Sequence, residues 1–159
     1  MQRSVALYSW QMCRFGSISC LYLTYKYFLF IHEKTSLSYR CIANHITVLG
    51  LSKGGYIAQV ISTLLASPEV NFVFIGSFKE QDLVNMPEIN FCGNILNLYD
   101  KSDEFNVSAI KRKETSKLKV TRFKELELNT NLKHGFLFRP LPEWVIPVIN
   151  WGTRRYGSV

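Results

Sequence analysis

Hydrophobic and polar positions pattern the chain unevenly, and the part from Ile46 onward is the clearer one. Ile46–Leu49 is apolar and mostly β-branched, the composition of a strand buried on both faces. A glycine-rich turn follows at Gly50–Gly55. Tyr56, Ile57, Val60, Ile61, Leu64 and Leu65 then recur at helical spacing until Ser67-Pro68 ends the helix. Asn71–Phe78, centred on Phe72-Val73-Phe74-Ile75, predicts a second buried strand, Gly93–Tyr99 a third and Thr121–Leu128 a fourth. Pro140–Arg155 predicts a closing amphipathic helix. Leu141, Trp144, Val145, Val148 and Ile149 share one side, Pro142 sits in the first turn and Pro147 is a kink. Buried strands alternating with helices predict an α/β fold with a mostly parallel sheet covered by helices on both faces.

The first 45 residues are poorly punctuated. Leu21–Ile31 is rich in aromatics and reads as a strand. Arg3 and Arg14 stand ahead of it as in a signal sequence, but Lys26 interrupts the apolar run and no small-residue cleavage site follows. No apolar run approaches the roughly 20 residues of a membrane-spanning helix. The expectation is one domain over residues 1–159, with 1–45 loosely defined and 46–155 as its core. Stable membrane insertion is not expected, and the cytoplasm is the default compartment.

At 47% hydrophobic residues the chain can bury a core, which excludes a disordered tail. The 19 Lys+Arg against 12 Asp+Glu give a net charge of +7, much of it in Lys111–Lys119. No aromatic residue is interleaved there for base stacking. The run reads as solvated surface rather than a nucleic-acid or phosphate platform, and no nucleic-acid partner is expected. Cys13, Cys20, Cys41 and Cys92 form no C-x-x-C pair, and no histidine lies at finger spacing. They read mostly as buried free thiols, and neither a metal nor an organic cofactor is called for. Nothing in the pattern specifies an oligomeric state.

The candidate chemistry lies in the turn. Gly50-Leu51-Ser52-Lys53-Gly54 has the form G-x-S-x-G between a buried strand and a helix. In such an elbow a strained turn pushes the serine hydroxyl out of the sheet, and the neighbouring positions must be small. The order of Lys53-Gly54 excludes a P-loop. A serine hydroxyl needs a base, and the base needs an orienting acid. In elbow proteins both follow the serine, acid first. His32 and His45 precede Ser52, which leaves His134 as the base and His45 as structural. The loop Asp100-Lys101-Ser102-Asp103-Glu104 offers the acid. Asp103 is preferred because it lies deeper in the loop, Asp100 is the fallback, and Glu104 faces solvent.

On these residues the chain resembles the α/β-hydrolase superfamily from Asn44 to Trp151, about two thirds of its length. The matching parts are the elbow, the strand Phe72–Ile75, Tyr99-Asp100-Lys101-Ser102-Asp103 and His134-Gly135. The resemblance implies Ser52 as nucleophile, His134 as general base, Asp103 as its orienting acid, and the backbone N–H of Lys53 as one oxyanion donor. It also implies several strands and a second oxyanion donor before the elbow. No His-Gly or Gly-Gly pair precedes Ser52, and Gly16, in the turn Arg14-Phe15-Gly16-Ser17, is the weak candidate for that loop. The expected fold is therefore hydrolase-like but short of several N-terminal strands, as in a truncated gene product.

Three consequences are expected. Loss of one oxyanion donor costs about 3–4 kcal/mol of transition-state stabilisation. An elbow strand left at a sheet edge would expose Ile46–Leu49 to aggregation. Lys79–Cys92 is too short for a sizeable lid, leaving an open site. The implied function is a serine hydrolase acting on a small ester or related acyl substrate. The alternative is a truncated hydrolase-like protein with weak or no activity.

Overall fold

A computed structural model of the chain describes residues 10–15, 18–23, 29–34, 43–104 and 107–153, and side chains from residue 43 onward apart from that of His45. Its strands are β1 (Trp10–Phe15), β2 (Ile18–Leu23), β3 (Leu29–Lys34), β4 (Ile46–Leu51), β5 (Asn71–Ile75), β6 (Gly93–Asp100) and β7 (Val120–Leu128). The helices are α1 (Lys53–Leu65), α2 (Asp82–Asn85), α3 (Ile110–Thr115) and α4 (Pro142–Thr153). The strands form one sheet in sequence order. From β4 to β7 neighbours are parallel, and from β1 to β4 they are antiparallel.

The sheet is therefore mixed rather than mostly parallel. Antiparallel neighbours need only short connections, whereas each parallel step needs a crossover. Three strands fit between Trp10 and Lys34, ahead of the elbow strand, in this way. The predicted strand at Leu21–Ile31 divides into the end of β2 and the start of β3. As a result β4 is paired on both sides, with β3 and β5, and Ile46–Leu49 is not left at a sheet edge.

Each crossover from β4 to β7 steps one strand in the same direction, so right-handed connections carry α1 to α3 over one face. Side chains of β5 alternate accordingly. Phe72 and Phe74 enter a cluster with Ala58 of α1, Phe78, Ile89, Phe91 and Ala109. Val73 and Ile75 enter the opposite cluster with Leu96, Leu98, Phe136 and Trp151 of α4. All five residues of β5 are buried, and full burial of its four apolar side chains stabilises by about 1.5–3 kcal/mol each.

Burial in two helices follows their apolar spacing only in part. In α1 the sheet-facing residues are Gly54, Gly55, Ala58, Gln59 and Ser62, while Ile57, Leu64 and Leu65 are exposed. Small residues bring the helix axis close to the sheet, so the large apolar side chains go to the flanks and the outer side. In α4 the predicted contacts of Leu141, Trp144 and Val148 are made, Ile149 is exposed, and Trp151 is the buried anchor. Pro147 lies within the helix. Among the described residues no helix is long and apolar enough to cross a membrane.

Candidate active site

The C-terminal ends of β4, β5 and β6 and the loop before α4 meet at one end of the sheet. Ser52 follows β4 with φ 52° and ψ −122°, a conformation that costs a non-glycine residue of order 1–3 kcal/mol. Two contacts hold it there. Its amide donates to the Ile75 carbonyl at 2.8 Å, and its carbonyl accepts from the Tyr56 amide at 3.1 Å as α1 begins. The turn is tight enough that a Cβ on Gly50 would lie 2.1 Å from the Gly54 carbonyl oxygen. That is why glycine stands at 50 and why the motif has its spacing.

The Ser52 hydroxyl lies 2.9 Å from Nε2 of His134, and Nδ1 of His134 lies 2.6 Å from Oδ2 of Asp103. A carboxylate can only accept, so Nδ1–H donates to Asp103 and Nε2 is left to accept from the serine hydroxyl. Asp103 is 4% exposed, and its amide donates to the Asp100 carbonyl at 3.0 Å. The structure thus brings Ser52, His134 and Asp103 into one hydrogen-bonded line. Lys53 opens α1, so its amide lies at the positive end of the helix dipole beside Ser52. Glu104 is exposed and forms a surface pair with Lys133 at 3.5 Å, an arrangement worth under about 1 kcal/mol.

Asp100, the fallback acid, has a different place. It is fully buried, and both of its oxygens are engaged by other residues. Its Oδ1 accepts from the amide and hydroxyl of Ser102, and its Oδ2 from the amide and hydroxyl of Thr130. The Ser102 hydroxyl oxygen in turn accepts the Lys133 amide at 2.9 Å. Asp100 therefore clamps the loop bearing Asp103 to the loop bearing His134. Burial pushes its carboxyl up, but the hydrogen bonds from Ser102 and Thr130 outweigh burial and hold it below the ordinary aspartate value. Asn131 and Lys133 on the histidine loop have φ values of 56° and 51°. Of the four non-glycine residues with positive φ among the described residues, three therefore lie at this site.

A cavity of about 410 Å³ opens over Ser52 and His134, within the usual range for small ligands. Lys53, Tyr56, Gly76, Ser77, Lys79, Asp82 and Met86 complete its lining. The short Lys79–Cys92 segment thus forms a wall of the site through α2, which the length argument missed. That wall is braced by Arg112, inside the basic run expected to be surface. Arg112 is 3% exposed and donates to the carbonyls of Ile89 and Asp82, while Lys111, Lys113, Lys117 and Lys119 are exposed. Desolvation lowers the Arg112 pKa from its ordinary value, opposed by nearby Asp82 and Glu88.

Three further expectations meet the structure here. Of the turn expected at Arg14-Phe15-Gly16-Ser17, Phe15 pairs with Ile18, which pairs with Lys34 at the end of β3. Leu29 at the start of β3 pairs with Gly50 of the elbow, so the Phe15–Ile18 pair lies at the opposite end of the sheet. Residues 16 and 17 themselves lie outside the described residues. Tyr99, part of the motif before Asp103, donates its hydroxyl to Glu127 of β7 at 2.8 Å. Burial and that bond push its phenol up to about 12, marking a strand-to-strand tie. Cys92 is a buried free thiol with its pKa raised by burial; Cys13 and Cys20 have no described side chains, and Cys41 lies outside the described residues.

Comparison with known proteins finds no matching family model, curated protein or solved structure.

Proposed function

We propose that this chain is a serine hydrolase of the α/β-hydrolase type that cleaves a small ester or related acyl substrate. The observation that carries the reading is the unbroken line from Ser52 Oγ through His134 to Asp103 on a positive-φ elbow. His134 takes the proton of the Ser52 hydroxyl as the oxygen attacks the substrate carbonyl. Asp103 holds the ring with Nδ1–H toward itself and stabilises the imidazolium that forms. The developing oxyanion is met by the Lys53 amide at the head of α1. His134 then gives its proton to the departing alcohol or thiol. An acyl-Ser52 intermediate remains, and water, activated by the same histidine, releases the acid.

A second reading, a hydrolase-like protein with weak turnover, draws support from the Phe15–Ile18 pair lying at the end of the sheet away from the elbow. Both readings are separated by labelling the folded protein with a fluorophosphonate probe. Stoichiometric modification that disappears in Ser52→Ala supports the hydrolase. Absence of labelling on folded protein, or labelling that survives in Ser52→Ala, overturns it.

A further inference from the structure

A second serine stands in the cavity wall. Ser77 follows β5, is 7% exposed, and lines the cavity together with Ser52, Tyr56, Met86 and His134. Behind it lies Gln59 of α1, 1% exposed, whose Nε2 is 3.2 Å from both the carbonyl oxygen and the hydroxyl oxygen of Ser77. A carbonyl can only accept, so the amide nitrogen of Gln59 must be the atom that faces Ser77. Its two N–H groups then go to the carbonyl and to Oγ. The Ser77 hydroxyl is thereby used as an acceptor, and its own hydrogen remains to be donated. Among the described residues it donates to no protein group. Gly55 makes this placement possible, because a Cβ there would lie 2.4 Å from Cβ and Oγ of Ser77.

We propose that Ser77 is a substrate-positioning residue whose hydroxyl donates a hydrogen bond to an oxygen carried on the acyl group, beyond the bond that is cleaved. The site then prefers oxygen-bearing acyl groups to plain alkanoyl groups of the same shape. This inference rests on the serine-hydrolase reading of Ser52. Tyr56 and Met86 supply the apolar part of the wall, against which an acyl chain packs whether or not it carries oxygen. Lys53, Lys79 and Asp82 add charged groups to the lining, and the neutral donor assigned to the acyl oxygen is Ser77, held by Gln59.

Isosteric ester pairs test it. The p-nitrophenyl esters of methoxyacetate and butanoate differ by one ether oxygen in place of a methylene, as do those of 3-methoxypropanoate and pentanoate. Wild type and Ser77→Ala are compared by kcat and KM on all four, together with fluorophosphonate labelling of Ser52. The expected result is that Ser77→Ala cuts kcat/KM for at least one ether ester about fivefold more than for its all-carbon partner, the size of one neutral hydrogen bond. A merely structural defect slows both members of a pair alike, so parallel losses in both pairs overturn the inference while leaving the hydrolase reading intact. Wild-type protein that hydrolyses none of the esters and takes no label at Ser52 overturns the hydrolase reading, and this inference with it.

Discussion

Replacing Asp100 by asparagine keeps the side chain's shape and turns one carboxylate oxygen into an NH2 group. In the native protein the two oxygens receive four donors, the amides of Ser102 and Thr130 at 2.9 and 2.8 Å and the hydroxyls of the same residues. Asparagine can accept on one side only. On the other side a hydroxyl can rotate its hydrogen away, but a backbone amide cannot, so N–H is left facing N–H. Hydrogen bonds to a charged group contribute about 1.5–3 kcal/mol each, and an unsatisfied buried donor carries a similar penalty. Loss of the charged acceptor at two bonds therefore predicts a destabilisation of about 3 kcal/mol or more for Asp100→Asn. Urea unfolding at pH 7 measures it, with a fall in midpoint of about 1 M or more for a small domain.

The pH dependence gives a second, signed check. The Asp100 carboxyl lies below its ordinary value in the folded protein, so its contribution is full above the ordinary aspartate range and is lost as pH falls through the lowered native value. The stability gap between wild type and Asp100→Asn must then narrow in acid. Because the clamp spans the loops of Asp103 and His134, fluorophosphonate labelling of Ser52 should also slow. Equal urea midpoints at pH 7, or a gap that widens in acid, refute the clamp.

The elbow and the triad yield further expectations. Gly50→Ala drives a Cβ into the Gly54 backbone at 2.1 Å, where nothing can rotate away, and should destabilise by more than about 3 kcal/mol or abolish labelling of Ser52. Gly135→Ala, with nothing within 4 Å of the added Cβ, should shift the urea midpoint little. Asp103→Asn should leave the fold intact and cut kcat by about 10³-fold or more, since the amide no longer selects the tautomer with Nε2 free to accept. An Asp103→Asn protein with near wild-type turnover would remove Asp103 from the mechanism.

Much of the local structure was legible because periodicity reports burial directly. The four strands from Ile46 onward needed only runs of apolar residues, and their predicted spans match β4 to β7 within a few residues. The elbow was legible because a tight strand-to-helix turn tolerates few residue types. What failed were inferences about which face of an element is covered. The helical spacing in α1 ran through Ile57, Leu64 and Leu65, yet these are exposed and the buried face is Gly54, Gly55, Ala58, Gln59 and Ser62. A charge run likewise hid Arg112, whose burial depends on carbonyls of Asp82 and Ile89 more than 20 residues away. The pair Asp100 and Ser102 at a strand end, with Thr130 after the next strand, was a visible signal for the clamp that residue order alone did not use.

The sequence by itself determined the α/β class from Ile46 onward, the elbow around Ser52, and the order in which an acid and a base follow it. These depend on interactions within a few residues: alternation, helical spacing, and the steric demand of a turn. Only the tertiary structure decided that Asp103 rather than Asp100 meets His134, that β3 flanks the elbow strand in the antiparallel sense, and that α2 and Ser77, the latter backed by Gln59, form the wall beside Ser52. Each of those depends on strand register and loop docking across long stretches of chain. A shift of one residue turns a side chain to the other face of the sheet, and local pattern cannot measure that.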